Sequence, residues 1–177
     1  MLRTFLIDPN RAYYQRQLET ATGLPIRAIQ RELEKLSESG LLYRRMEGRR
    51  AYYTIDQQFP GFDALRSLFL SDAEPLDRLR AELCTHSSVE LAFLNSKTGR
   101  VLVVVDDGGE QSVFDDRGAF SIEVIGRSKF IEELESKPKR LEVFLKTGKD
   151  ILGRREDMIW RRIETAGLLV EKGQGIP

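Results

Sequence analysis

The chain has 177 residues, with 28 Lys and Arg balanced by 28 Asp and Glu, and Cys84 is its only cysteine. That length allows one large domain or two small ones, and a lone cysteine excludes a disulfide framework or a Cys-rich zinc site. No apolar run approaches the ~20 residues that cross a bilayer, and the N-terminus lacks the apolar stretch of a signal peptide. The expectation is therefore a soluble cytoplasmic protein with no membrane partner. Zero net charge hides an asymmetry. Residues 1–60 carry 10 Lys and Arg against 7 Asp and Glu, and the remainder carries the opposite excess. A basic excess on one segment is the electrostatic footprint that nucleic acid requires.

In chain order, Leu2, Phe5 and Leu6 have helical spacing and predict a short first helix. Asp8-Pro9-Asn10 reads as a turn. Tyr13 and Tyr14 are expected to open a second helix, with Tyr14, Leu18 and Ala21 on one face. Thr22-Gly23 breaks it, because glycine accepts the positive φ of a sharp turn. Pro25 suits a first helical turn, where its missing N–H has no partner to lose. Ile29, Leu33 and Leu36 continue a second apolar stripe, and Gly40 stops it. Two extended runs follow, Leu41 to Met46 and Arg49 to Ile55, joined at Glu47-Gly48 as a hairpin.

This order of helix, turn, helix and basic hairpin resembles the winged helix-turn-helix of bacterial and archaeal transcription regulators, in particular the arsenic-repressor-like group. The run RAIQRELEKLSESGLL from Arg27 to Leu42 and the run RRMEGRRAYY from Arg44 to Tyr53 carry the resemblance. It covers about the first third of the chain. Regulators of this type often begin further upstream, so it implies a trimmed N-terminus. It also implies double-stranded DNA as the partner.

With Ile29, Leu33 and Leu36 facing inward, Arg27, Gln30, Arg31 and Glu34 point outward. Arginine can bond guanine and glutamine can bond adenine in a major groove. Gln30 and Arg31 occupy the half of the helix that meets bases. Arg27 suits a base or a phosphate, and Lys35 suits a phosphate. Tyr14, Gln15 and Arg16 start the preceding helix, also within reach of phosphate. Arg45, Arg49 and Arg50 surround the hairpin tip, where phosphate or a minor groove would lie. The alternative for each is an ordinary solvated charge.

After the hairpin, Phe59-Pro60-Gly61 marks a break. Phe62, Leu65 and Phe69 then form the apolar face of a connector helix, a candidate homodimer contact. Asp72 to Pro75 interrupts it, placing a domain boundary near residues 71–75: a first domain over 1–60, a connector over 61–75 and a second domain over 76–177. Leu76, Leu79 and Leu83 make a further amphipathic stretch.

Val89 to Leu94 reads as a strand, and the β-branched run Val101 to Val105 as a strand buried on both faces. Asp106 to Gly109 is a turn, and Gln111 to Phe114 a short edge strand. Phe120, Ile122 and Val124 alternate with polar neighbours. Ser128 is placed to cap a helix running to about Glu135. Leu141 to Lys146 reads as helix, Lys149 to Leu152 as a short strand and Arg155 to Thr165 as helix, with a frayed tail from Gly173. These elements make a small α/β domain with a three- or four-stranded sheet, so the whole chain is α+β.

The second half looks like a minimal nucleotidyltransferase domain. The resemblance rests on ELAFL at Glu90 to Leu94, VLVVV, SIEVIG, SKFIEEL and LKTGKDILG, over roughly residues 76–153. Such domains place a Gly-Ser pair after the first strand and a D-x-D pair opening the second, to hold two metal ions for in-line transfer. Here the corresponding stretch, Asn95 to Arg100, is shorter and contains no carboxylate. Ser96 is its one match, and Glu123 sits where a third carboxylate could fall. The implied domain is catalytically lost, so no enzyme activity, cofactor or metal is expected. It would serve dimerisation or the sensing of an unknown small-molecule or protein effector. Minimal nucleotidyltransferases also occur in toxin–antitoxin pairs, so an antitoxin-like or transferase role in such a pair is the alternative.

Other chemistry finds little support. Cys84-Thr85-His86 offers two ligand types where zinc needs three or four, and reads as a helix end. Lys146-Thr147-Gly148 matches a β-lactamase fragment but reads as a helix C-terminus. No phosphate-binding G-x-x-x-x-G-K-[ST] loop exists. The Arg154-Arg155 and Arg161-Arg162 pairs read as a solvated helix face.

Overall fold

Leu2–Ile7 forms helix α1, Tyr13–Tyr14 strand β1, Gln15–Thr22 helix α2 and Ile26–Glu38 helix α3. The hairpin follows as β2, Leu42–Glu47, and β3, Arg50–Ile55. Then come α4, Phe62–Ser71, and α5, Pro75–Leu83. This computed structural model describes residues 1–108, 119–136, 138–154, 157–168 and 170. Mixed helix and strand fall into two compact units, the first Met1–Thr85 and the second beginning at His86. Among the described residues no helix is long and apolar enough to cross a membrane. The anticipated edge strand at Gln111 to Phe114 and the tail from Gly173 lie outside the described residues.

The first unit closes on the stripe that the sequence displays. Ile29 and Leu33 are buried with Phe5, Leu6, Leu18, Leu42, Ile55 and Phe62, and Leu36 packs at the margin. Gly23 ends α2 at φ 68° and donates its N–H to the Glu19 carbonyl at 2.8 Å. A residue with a Cβ pays strain in that left-handed region, which explains the glycine.

Three expectations are corrected here. Tyr13 and Tyr14 do not open α2. They pair antiparallel with Tyr53 and Tyr52 as the edge of a three-stranded sheet ordered β1-β3-β2. Tyr13 is buried with its ring edge-on to Phe5 at 5.3 Å, and aromatic side chains fit a pleated surface better than a helix start. Burial pushes its phenol pKa well above the ordinary tyrosine value.

The boundary also moves, from residues 71–75 to Thr85 and His86. Helix α5 belongs to the first unit because buried Asp77 pairs with Arg3 of α1 and Arg80. Arg66 of α4 adds bonds to the Leu6 carbonyl at 3.0 Å and the Ala81 carbonyl at 3.2 Å. Finally, the apolar face of α4 is not spare. Phe62 is in the core, and Leu65 and Phe69 pack against it. The exposed apolar residue of α4 is Leu68, at 71%.

The second unit contains β4, Val89–Asn95; β5, Arg100–Val105; β6, Ser121–Gly126; α6, Arg127–Ser136; α7, Pro138–Leu145; β7, Lys149–Asp150; and α8, Asp157–Thr165. Its four-stranded sheet runs β6-β5-β4-β7. Strands β5 and β6 are parallel, and β4 is antiparallel to both β5 and β7. Val101 to Val105 are all fully buried, as a β-branched run predicts for a strand covered on both faces. Leu91, Phe93, Leu102, Val104 and Ile125 share one core with Phe130, Leu134, Leu141, Phe144 and Ile159.

Ser128 does not act as the cap of α6. Its N–H donates to the Asp107 carboxylate at 2.8 Å, and its hydroxyl donates to the other oxygen. The acceptor thus comes from the turn after β5.

Candidate nucleic-acid interface

Two short helices and a hairpin converge on one groove. Tyr14, Gln15, Arg16 and Glu19 line it from the start of α2, Ile26 from α3, and Arg44, Met46, Arg49, Arg50 and Ala51 from the hairpin. Its volume is about 580 Å³. Four arginines and a single carboxylate line it, so its charge balance is basic.

Local sequence explains each position. Gln17 accepts the Tyr14 backbone N–H at 3.1 Å, which fixes the first turn of α2 just where strand β1 ends. Tyr14 holds the ring of Tyr52 edge-on at 5.7 Å and carries the Arg50 guanidinium over its face at 5.2 Å. A cation held over a ring is ordered before any ligand arrives. The Gln30 amide of α3 donates to the Gln15 side-chain oxygen at 3.3 Å, linking the two helices on the outer surface.

Neither α2 nor α3 has an acidic residue in its first turn. Arg16 and Arg27 stand there instead, where the partial positive charge of the helix end disfavours a cation. Helix stability therefore does not explain arginines at these positions.

The anticipated residues divide into three groups. Arg27, Gln30 and Arg31 are exposed on the N-terminal half of α3, and Arg27 and Arg31 make no ion pair among the described residues. Lys35 is exposed but pairs with Glu32 at 3.4 Å. On the hairpin, Arg49 and Arg50 line the groove. Arg45 does not, and it pairs with Glu47.

Arg44 also lines the groove. Arg44 lies opposite Tyr53 and Met46 opposite Ala51, on the side of the hairpin that carries the buried Leu42, Tyr53 and Ile55. Arg45 lies opposite Tyr52 on the other side, which also carries the groove residues Arg50 and Tyr14, so the face alone does not decide which residues line the groove. Arg44 is the groove residue that the reading of the tip missed.

In the second unit the stretch Asn95 to Arg100 is a tight turn between β4 and β5. Asn95 accepts the N–H groups of Lys97 at 3.0 Å and Thr98 at 3.3 Å through its side chain. It donates to the Val143 carbonyl at 2.8 Å. Gly99 takes φ 69°, and an added Cβ would lie 2.8 Å from the Ala119 carbonyl oxygen. Glu123 is held between Arg100, at 3.0 Å, and Arg140. Arg140 also pairs with Glu133 at 2.6 Å.

Cys84 is buried at the end of α5. Arg154 donates to the Val89 carbonyl at 2.6 Å, so it is not part of a solvated face. Among the described residues no three His, Cys, Asp or Glu side chains group around a possible metal position. No family model, curated protein or solved structure matches the chain.

Proposed function

We propose that the chain is a cytoplasmic DNA-binding transcriptional regulator whose first unit works as a winged helix-turn-helix. In this reading α3 enters the major groove of double-stranded DNA through Arg27, Gln30 and Arg31. The β2–β3 hairpin is the wing, and its arginines neutralise phosphate or reach the minor groove. The observation that carries it is the groove where Arg16, Arg44, Arg49 and Arg50 face Glu19, beside the exposed N-terminal half of α3.

The second unit, in the same reading, is a nucleotidyltransferase-like domain that performs no transfer. The support is chemical: the Asn95 to Arg100 turn contains no carboxylate, and Glu123 is neutralised by two arginines. It is left to serve dimerisation or the sensing of an effector. Two copies would read half-sites about 34 Å apart. The face available for pairing is the one bearing Leu68, not the one bearing Phe62, Leu65 and Phe69.

Selection of bound fragments from a genomic DNA pool, followed by gel shifts on the selected and a scrambled duplex, tests the main claim. Enrichment of one sequence with salt-sensitive binding is expected. Absence of any enriched fragment overturns it. Light scattering tests the dimer: wild type is expected as a dimer and Leu68→Glu as a monomer, and a monomeric wild type in the micromolar range refutes the pairing.

A further inference from the structure

Glu19 is the one acid among the arginines of the groove. It is half-buried. Its backbone carbonyl accepts from Gly23, but its carboxylate makes no ion pair or hydrogen bond among the described residues. None of Arg16, Arg44, Arg49 and Arg50 pairs with it. A carboxylate here repels phosphate, so a groove that bound only phosphate would bind better without it. Its place is also fixed, because α2 is tied at its start by the Gln17 bond to Tyr14 and at its end by Gly23.

An ionised carboxylate is an acceptor only. What duplex DNA offers it is an exocyclic amine. Cytosine presents N4–H₂ in the major groove with an acceptor, the paired guanine O6, on one side only. Adenine N6–H₂ is flanked on both sides, by its own N7 and by the paired thymine O4, while guanine O6 and N7 and thymine O4 are all acceptors. Acceptor facing acceptor is repulsive and leaves both groups desolvated. Cytosine is the base whose amine satisfies Glu19 with the fewest acceptors set against it.

We infer that Glu19 is a specificity-determining residue that accepts a hydrogen bond from a cytosine N4 amine at one position of the bound DNA, an inference that rests on the DNA-binding reading above. The surrounding arginines supply affinity without regard to sequence. Glu19 weakens that general attraction and returns binding energy at cytosine alone.

The test is Glu19→Gln, an isosteric change whose fold is checked by circular dichroism. Wild type and variant are titrated against the selected duplex, against each of its single base-pair variants, and against a scrambled duplex. Loss of the charge should tighten binding to scrambled DNA severalfold. The preference for cytosine at one position should fall by about tenfold. Adenine should rise there, since glutamine both donates and accepts.

Opposite signs in one variant separate this role from simpler ones. If every duplex gains equally, Glu19 only repels phosphate and the inference is overturned. If every duplex loses equally, Glu19 is a structural support and the inference is again overturned. If the wild-type protein binds no DNA, the regulator reading fails first, and this inference falls with it.

Discussion

Arginine is deployed differently in the two units. In the first, Arg16, Arg44, Arg49 and Arg50 line a groove with one acid, and Arg27 and Arg31 stand beside it without ion pairs among the described residues. In the second, Arg100, Arg127, Arg140 and Arg162 each hold a glutamate: Glu123, Glu90, Glu123 with Glu133, and Glu135. Exposed ion pairs add little stability, so this pairing is weak evidence about how strongly the second unit folds. It does show that these arginines are already neutralised by their own chain. The first unit pairs Arg3, Lys35, Arg45 and Arg80 as well. It leaves the arginines of the groove and of the α3 N-terminal half without an ion pair among the described residues.

Helix α3 shows a finer version of the same division. Its N-terminal half exposes Arg27, Gln30 and Arg31, and its C-terminal half exposes Glu34 and Glu38, with Lys35 paired to Glu32. A phosphate strand crossing the helix is attracted at one end and repelled at the other.

The largest expected effect separates the two units outright. Gly148 follows the end of α7, and an added Cβ would lie 1.5 Å from the Phe144 carbonyl oxygen, a backbone atom with no room to yield. Gly148→Ala should cost the second unit roughly 3–4 kcal/mol or more. Thermal unfolding followed by circular dichroism should show a transition moved well down. If the first unit alone binds DNA, gel shifts below its own transition should still show the complex. Loss of DNA binding together with the second unit would end the separation of roles drawn here.

Next in size is the division of work on the DNA. Arg49→Ala with Arg50→Ala should weaken selected and scrambled duplexes together and flatten the salt dependence by about one unit per charge. Arg31→Ala should instead cost ~1–3 kcal/mol at the selected site and relax the preference at one position. Binding isotherms at several salt concentrations measure both. A wing double variant that loses preference while Arg31→Ala keeps it would reverse the assignment.

Much of this was legible in the chain itself, for physical reasons. The period of Ile29, Leu33 and Leu36 fixes α3, and the unbroken apolar run Val101 to Val105 declares a strand covered on both faces. Gly48 marks the hairpin, although its turn is Gly48-Arg49, one residue later than expected, because Glu47 pairs with Arg50. Tyr13 and Tyr14 were not legible as a strand. Two residues show no period, and Tyr14 stands at helical spacing from Leu18. The boundary was illegible because α5 is amphipathic and could pack on either side, until Arg3 of α1 claims Asp77. Candidate residues were found by charge, so Arg45 was chosen beside Arg44 although only the register tells their faces apart.

A smaller effect is expected where charges are already paired. Glu123→Gln removes the partner of Arg100 and Arg140, all of them partly exposed. Stability should fall by less than about 1 kcal/mol, and DNA binding should stay within error. The same variant bears on catalysis. Labelled nucleoside triphosphate should not be incorporated by wild type or variant. Incorporation by wild type that Glu123→Gln abolishes would mean the second unit has rebuilt an acidic site from other residues.

The smallest effect concerns the exposed cap of α6. The hydroxyl and backbone N–H of Ser128 donate to Asp107 and hold its carboxyl below the ordinary aspartate pKa. A folded pKa below the unfolded one means that the unfolded chain binds the proton more readily. The contribution is therefore complete above the unfolded value and disappears as pH falls through the folded one. Solvent screens the pair, so the loss should be slight and confined to acid. Asp107→Asn retains one acceptor oxygen but no charge, and should remove this part of the acid dependence. Thermal midpoints of the two proteins, compared from neutral pH down to about the unperturbed aspartate value near 4 and below, should converge at the acid end. A constant offset at every pH would mean that Asp107 acts through its hydrogen bonds alone and that its charge contributes nothing.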